Sequence, residues 1–244
     1  MSHAASPEPN GSPSAASLIA LDDVSVRFGE VTALDRVTMR VGRGEFIALV
    51  GSNGSGKTTL LRTLHGLLRH AGRRSVAAEA GRQAMVFQRP FLIHLSVRNG
   101  LRLALWLAGV PRAQWDERIA QALQRVGLQG LERRPARALS GGQQQRLALA
   151  GAWAVRPRVL FLDEPTASLD PTAKQEVEQL LAGFAAEGMT LVMSTHNLGQ
   201  AKRLASRLIY LEAGAIHADL PTPEFFTSGR LNGRAQQFLK GEMT

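Results

Sequence analysis

A glycine-rich segment follows an apolar run near residue 50 and has the spacing of a phosphate-binding loop. The pattern is Gly-x-x-x-x-Gly-Lys-Thr, and its members are Gly51, Ser52, Asn53, Gly54, Ser55, Gly56, Lys57 and Thr58, with Thr59 directly after them. Glycines let successive backbone N–H groups point at a phosphate, and the positive end of a following helix adds to the attraction. We expect Lys57 to contact the β- and γ-phosphates and Thr58 to bind Mg²⁺ through its hydroxyl. The segment therefore predicts a site for a nucleoside triphosphate.

Two carboxylates end a second apolar run, where Asp163 and Glu164 follow residues 159–162. In a parallel sheet the carboxyl ends of the strands meet at one edge, and ligands bind there. We expect Asp163 to hold Mg²⁺ and Glu164 to polarise the water that attacks the γ-phosphate. The alternative is a pair of surface acids after a core strand. Pro165 and Asp170-Pro171 indicate tight turns directly after the strand, which argues against that alternative.

A third apolar run, residues 190–194, leads to Thr195 and His196. A lone histidine after a strand is more often structural than functional. In the company of the two other segments, we expect His196 to contact the γ-phosphate.

The motif Leu-Ser-Gly-Gly-Gln stands at residues 139–143, before a helical pattern. With this motif the chain resembles the ATP-binding subunits of ABC transporters. The hydroxyl of Ser140 and the unobstructed N–H groups of Gly141 and Gly142 form a second candidate anion site, and Gln143 completes the motif. An ordinary glycine-containing helix cap is the alternative for Ser-Gly-Gly taken alone.

The resemblance implies a head-to-tail dimer, in which the motif at Ser140 of one copy closes on the γ-phosphate held by the phosphate loop of the other. It also implies that Gln88 contacts Mg²⁺ and the attacking water, that Asp170 lies in a loop crossing the dimer interface, and that Phe28 stacks on adenine. Residues 89–95 match the place where a short cytoplasmic helix of a membrane subunit docks. A buried connection into neighbouring helices is the alternative for that segment.

These motifs predict an α/β fold, namely the P-loop NTPase fold of ABC ATPases with a RecA-like core sheet. Apolar residues alternate over 24–28 and 37–41, which indicates half-buried antiparallel strands in a separate β subdomain. Residues from about 89 to 155 are helix-like and predict an inserted helical subdomain. We expect one ABC ATPase domain over residues 18–242, preceded by a disordered tail over 1–17 that is rich in Ser, Pro and Ala.

Composition narrows the classes of partner. The formal net charge is +9, but the densest basic groups, residues 69–74 and 133–137, are not interleaved with aromatic residues that would stack on bases. We therefore predict no nucleic-acid partner, and the charge suits either the anionic cytoplasmic leaflet of a membrane or a solvated surface. The absence of cysteine excludes disulfides and thiolate metal sites. No signal-peptide pattern and no long apolar run is found, so we expect a chain that is neither exported nor membrane-spanning.

Two function hypotheses differ in the partner that ATP hydrolysis would drive. The favoured one is the ATPase subunit of an importer, bound peripherally at the cytoplasmic face of the membrane to permease subunits and served indirectly by an extracellular or periplasmic binding protein. The other is a soluble ABC-type ATPase of an assembly scaffold, such as those of iron–sulfur cluster biogenesis. For an importer, residues 223–226 and 238–242 look like the endings of phosphate or tungstate importers, which predicts an oxyanion cargo. Similar endings also occur in amino-acid importers.

Overall fold

A computed structural model describes residues 17–90, 93–227 and 233–242. The strands in these ranges are β1 (Ser17–Phe28), β2 (Val31–Gly42), β3 (Phe46–Val50), β4 (Ala71–Val76), β5 (Gln83–Val86), β6 (Val159–Asp163), β7 (Thr190–Ser194), β8 (Arg207–Glu212) and β9 (Ala215–Pro221). The helices are α1 (Lys57–His65), α2 (Val97–Leu107), α3 (Trp115–Arg125), α4 (Gly141–Ala154), α5 (Pro171–Ala186), α6 (Leu198–Leu204), α7 (Thr222–Thr227) and α8 (Gly233–Glu242). Residues 1–16 of the predicted tail lie outside the described residues. The tail boundary is corrected by one residue, since Ser17 already begins β1 and pairs with Gly42.

A six-stranded sheet in the order β5-β6-β7-β3-β8-β9 forms the centre of the fold. Its strands pair in parallel except for β8 and β9, which are antiparallel. Strands β3, β6 and β7 are buried along their whole length, as expected for a parallel sheet covered on both faces. Alternate residues therefore belong to two different cores, so that Ile47 and Phe161 face one side and Ala48 and Leu162 face the other. The predicted α/β fold with this core sheet is confirmed.

A smaller antiparallel sheet, in the order β2-β1-β4, packs on the first of these cores. Val24 and Val26 of β1 and Val37, Met39 and Val41 of β2 are buried, whereas Phe28 at the end of β1 is exposed. The predicted antiparallel pairing is confirmed, but the buried alternation of β1 stops at Val26. Helix α1 contributes Leu60, Leu61 and Leu64 to the same core. The phosphate-loop helix is thus held between the small sheet and one face of the large one.

Helices α2, α3 and α4 share a core of their own, which includes Val97, Leu101, Ile119, Leu123 and Leu147. Ser96 caps α2, because its hydroxyl accepts a hydrogen bond from the N–H of Asn99 at 3.4 Å. Gly109 and Pro111 lie in the segment that separates α2 from α3. In the described part of the chain, no helix combines the length and the apolarity required to cross a bilayer.

Basic residues on these helices are partly paired with acids. Arg98 and Arg102 both reach Asp116, with Nη2–Oδ1 distances of 2.7 and 3.3 Å. Their hydrogen bonds hold the pKa of the Asp116 carboxyl below its usual value. Some of the basic side chains therefore form local ion pairs at the surface.

Candidate functional site

The phosphate loop connects β3 to α1, and two of its glycines stand where a side chain would collide with backbone. A Cβ at Gly51 would lie 2.2 Å from the carbonyl oxygen of Leu211, and one at Gly56 would lie 2.7 Å from that of Ala33. Both glycines also have positive φ, 151° and 104°, a region that favours glycine. Gly56 caps α1 without any side-chain hydrogen bond. The first N–H groups of α1 are therefore not capped by a side chain and can meet an anion.

Lys57 lies buried beneath this loop, 6% exposed. Its Nζ donates to the carbonyl oxygens of Gly51 and Ser52 at 2.7 and 2.8 Å. The neighbouring Ser55 hydroxyl is buried and has no hydrogen-bond partner among the described residues. A phosphate bound in this loop would accept hydrogen bonds from the buried ammonium and from the unsatisfied hydroxyl.

Asp163, at the end of β6, meets the helix that follows the phosphate loop. Its Oδ1 accepts hydrogen bonds from the hydroxyls of Thr58 and Ser194, both at 2.8 Å. A carboxylate and a hydroxyl in contact supply hard oxygen donors, the kind that Mg²⁺ prefers. The residues present therefore fit the predicted magnesium site at this edge of the sheet.

Glu164 follows Asp163 in a left-handed backbone conformation, with φ 43°. Such a conformation is strained for a residue with a Cβ, and it persists where the surroundings fix it. Here the Glu164 N–H donates to the carbonyl oxygen of Ser194 at 3.1 Å and to its hydroxyl at 3.0 Å. The carboxylate Oε2 lies 3.1 Å from Nδ1 of His196, whose side chain is 54% exposed. The structure thus brings the predicted acid and histidine together at the sheet edge.

Two further predicted residues lie at the rim of this region. Phe28 ends β1 and is 53% exposed, close in sequence to Ala33, whose carbonyl approaches Gly56. Gln88 is exposed and stands two residues beyond β5. Since Val86 of β5 pairs in parallel with Leu162 of β6, Gln88 reaches the same edge as Asp163. Both positions leave the side chains accessible to a ligand.

The Ser140 motif forms the start of α4. The Ser140 hydroxyl accepts from the N–H of Gln143 at 3.3 Å, and the Gln143 side chain accepts from the N–H of Ser140 at 3.0 Å. This reciprocal pair is a capping box. Ser140 and Gly141 are exposed, so the helix N-terminus is open to an anion from outside the chain.

Gly142 has a packing role that the motif alone did not predict. A Cβ at this position would lie 2.6 Å from the Cβ of Ala173 in the first turn of α5. The N–H of Ala173 in turn donates to Oδ1 of Asp170 at 2.9 Å, which makes Asp170 the cap of α5. The start of α4 and the Asp170 loop are therefore in direct contact, and only glycine fits between them.

Gly142→Ala is expected to destabilise the folded chain by about 1–3 kcal/mol, because the added methyl overpacks against Ala173. Gly141→Ala is the matched control, since a Cβ there would have no neighbour within 4 Å. Denaturant midpoints of the two variants measure the difference. Equal midpoints would contradict the close packing of α4 on α5.

The two predicted anion sites stand at the starts of two different helices, α1 and α4. Leu60, Leu61 and Leu64 of α1 pack on one face of the large sheet, whereas Leu149 of α4 packs on the other face. The phosphate loop and the Ser140 motif therefore lead into helices on opposite faces of the sheet.

Two polar residues that the sequence analysis did not single out touch the site. Ser194 bonds both Asp163 and the backbone of Glu164, and Gln200 bonds Thr195 and Thr166, which flank His196 and Glu164 in sequence. The available signal was weak: a serine that ends an apolar strand, and a glutamine four residues after His196.

Comparisons with known proteins agree with this geometry. The family model described as "ABC transporter" matches residues 34–167. The glutamine transport ATP-binding protein GlnQ of Escherichia coli (strain K12) is 34% identical over 241 residues, which cover 91% of this chain and 99% of that protein. The structure of CbiO1 from Clostridium perfringens, part of the ABC transporter complex CbiONQ, matches with a TM-score of 0.77 and 28% identity over 87% of this chain and 91% of that one.

A dimeric ATP-binding cassette in a post-hydrolysis state, bound to ADP and Pi, matches with a TM-score of 0.73 and 27% identity over 84% of this chain and 98% of that one. None of the relatives named here is a phosphate or tungstate importer. The predicted placement in that subgroup therefore finds no support in them.

Proposed function

Because this chain belongs to the ABC transporter family, whose ATP-binding subunits hydrolyse ATP to power transport, we propose that it is the ATPase subunit of a membrane importer. The chain is an ABC-type ATPase and binds ATP. The observation that carries the proposal is the meeting of Lys57, Thr58, Asp163 and Glu164 at the carboxyl edge of one parallel sheet. The importer direction is supported by a relative named for glutamate/aspartate import.

Different residues of the chain have different roles in ATP binding and hydrolysis. Lys57 and the first N–H groups of α1 hold the phosphates, and Phe28 offers its exposed ring to adenine. Thr58, Asp163 and Gln88 would hold Mg²⁺, which would neutralise phosphate charge when bound.

Glu164 orients the attacking water and accepts its proton. His196, whose Nδ1 lies 3.1 Å from Oε2 of Glu164, contacts the γ-phosphate and keeps the carboxylate in place. Phosphoryl transfer depends chiefly on positioning and electrostatics, and these side chains supply both.

A second copy of the chain is the proposed partner that completes the site. The Ser140 motif is exposed, and α4, which begins at this motif, packs on the opposite face of the sheet from α1, which follows the phosphate loop. In a head-to-tail dimer, Ser140, Gly141 and the helix end behind them would face the γ-phosphate of the partner, and Asp170 would cross the interface. A similar cassette bound to ADP and Pi is dimeric, which supports the proposal.

Permease subunits are the proposed membrane partner, bound at an apolar groove next to Gln88. The groove has a volume of about 390 Å³ and lies between β5, α2 and α4, lined mainly by apolar side chains such as Val86, Ile93, Leu101 and Leu147. Ile93 is 45% exposed, although Phe91 and Leu92 of the same segment lie outside the described residues. A groove of this kind fits a short apolar helix of a permease, and it would place the chain at the cytoplasmic face of the membrane.

Co-purification tests the importer proposal against the assembly-scaffold alternative. When the tagged chain is expressed in the organism from which it comes, we expect to find it in the membrane fraction together with an integral permease. Recovery with a soluble scaffold, and no signal in the membrane fraction, would overturn the importer proposal and favour the alternative.

The cargo is proposed separately, because the ATPase subunit does not contact it. Residues 223–226 and 238–242 favour an oxyanion such as tungstate or phosphate, whereas the name of the glutamine relative favours an amino acid. Titration of the cognate binding protein with tungstate, phosphate and glutamine separates the two classes. Tight binding of glutamine alone would reject the oxyanion proposal.

A further inference from the structure

The Gln200 side chain is fully buried, with 0% exposure, in the first turn of α6. Its amide oxygen accepts a hydrogen bond from the hydroxyl of Thr195 at 2.9 Å. Its amide nitrogen donates to the hydroxyl of Thr166 at 2.8 Å and to Oε1 of Glu178 at 3.2 Å. Buried polar side chains are costly unless their partners are present, and here oxygen and nitrogen are both satisfied. The amide is therefore held in one orientation.

The two hydroxyls bonded by Gln200 belong to the two loops that carry the proposed chemistry. Thr195 directly precedes His196, and Thr166 follows Glu164 by two residues. Both threonines and both catalytic candidates line one cavity of about 120 Å³. A single side chain behind this cavity thus spans from one loop to the other, and a shift of either loop would break one of its bonds.

The Glu178 carboxylate determines which chemistry position 200 can have. Glu178 is nearly buried and pairs with Arg203, whose Nη2 lies 2.8 Å from Oε2. Its Oε1 accepts from the Gln200 amide nitrogen. A carboxylate at position 200 could not donate to Glu178, and the two negative charges would repel each other at this distance. The network therefore requires a neutral donor at position 200.

We propose that Gln200 is a positioning residue for ATP hydrolysis, which fixes the His196 loop against the Glu164 loop. The proposal rests on the proposed roles of Glu164 and His196 and adds a specific requirement behind them. Gln200 itself is buried and does not touch the nucleotide. Because small displacements of catalytic groups slow a reaction strongly, loss of this bridge lowers kcat. The KM for ATP stays nearly constant, because the phosphate loop is untouched.

The test compares Gln200→Glu with the exchange variant Gln200→Glu/Glu178→Gln. Gln200→Glu is expected to lower kcat by about tenfold, with the KM for ATP within about twofold of wild type. The exchange variant again places one amide and one carboxylate side by side, so it is expected to regain most of the lost kcat. Glu178→Gln alone is the matched control for loss of charge beside Arg203, and it should change kcat less than Gln200→Glu.

Thr166→Val provides a second test if Gln200→Glu fails to fold, since it removes one bond of the bridge and keeps the shape of the side chain. A fall in kcat at constant KM supports the bridge. Wild-type kcat in Gln200→Glu, or in Thr166→Val, overturns it. So does an exchange variant that folds with the wild-type denaturant midpoint but stays as slow as Gln200→Glu. Inactive Glu164→Gln alongside a fully active Gln200→Glu would reject this inference and leave the proposed function standing.

Discussion

Glu164→Gln is expected to lower the kcat of ATP hydrolysis by about 10²–10⁴-fold while ATP binding persists. Glutamine has nearly the same shape as glutamate but cannot accept the proton of the attacking water. The hydrogen bonds that hold position 164 in its left-handed conformation come from its backbone N–H to Ser194, so they survive the change. Lys57, Thr58 and Asp163 are also unaltered.

Steady-state ATPase assays and equilibrium titration with ATP measure the two halves of this prediction. Glu79→Gln is the control, because Glu79 is exposed and precedes β5, at the opposite edge of the sheet from the site. Its turnover should match wild type. Turnover within about twofold of wild type in Glu164→Gln would remove Glu164 from its proposed role.

Ser140→Arg and Ser140→Asp are both expected to reduce hydrolysis by about 10²-fold or more, because each change blocks the proposed anion site in a different way. Arginine fills the space at the exposed start of α4, and aspartate places a negative charge where the partner's γ-phosphate would come. Aspartate is a good helix cap, so Ser140→Asp keeps the stability that Ser140→Arg loses. The pair therefore separates loss of the cap from loss of the anion site.

ATP binding to the monomeric chain should be unchanged in both Ser140 variants, since the residues of the phosphate loop are themselves unaltered. Denaturant midpoints, ATP titration at high dilution and ATPase assays over a range of protein concentrations provide the readouts. Wild-type hydrolysis by folded Ser140→Asp would contradict action of this motif on the nucleotide of a second copy.

The core sheet was predictable because its signals are local. The apolar runs at 46–50, 159–162 and 190–194 are each long enough for one buried strand, and each is followed directly by polar residues with defined chemistry. Parallel pairing then places those residues at one edge without further information. The contacts of Thr58 with Asp163 and of Glu164 with His196 are consistent with that single topological fact.

Long-range side-chain contacts were not predictable in the same way. The requirement for glycine at 142 comes from Ala173, and the requirement for an amide at 200 comes from Glu178. Ser194 is an ordinary strand residue until the fold places its hydroxyl between Asp163 and the backbone of Glu164. Each of these roles depends on packing between elements that are distant in sequence, and periodicity carries no information about it.

Cross-linking between two copies tests the central claim that each ATP site is shared by two chains. The chain contains no cysteine, so Asn53→Cys in the phosphate loop and Gly141→Cys at the start of α4 each introduce a unique thiol. Both positions are exposed. The two variants carry different tags, and both also carry Glu164→Gln, which is expected to retain bound ATP. They are mixed and treated with a short bismaleimide. If each ATP site is shared, an abundant ATP-dependent adduct joins the two different variants. Absence of that adduct at saturating ATP would contradict a shared site. So would efficient cross-linking of residues 53 and 141 within one monomeric double-cysteine chain.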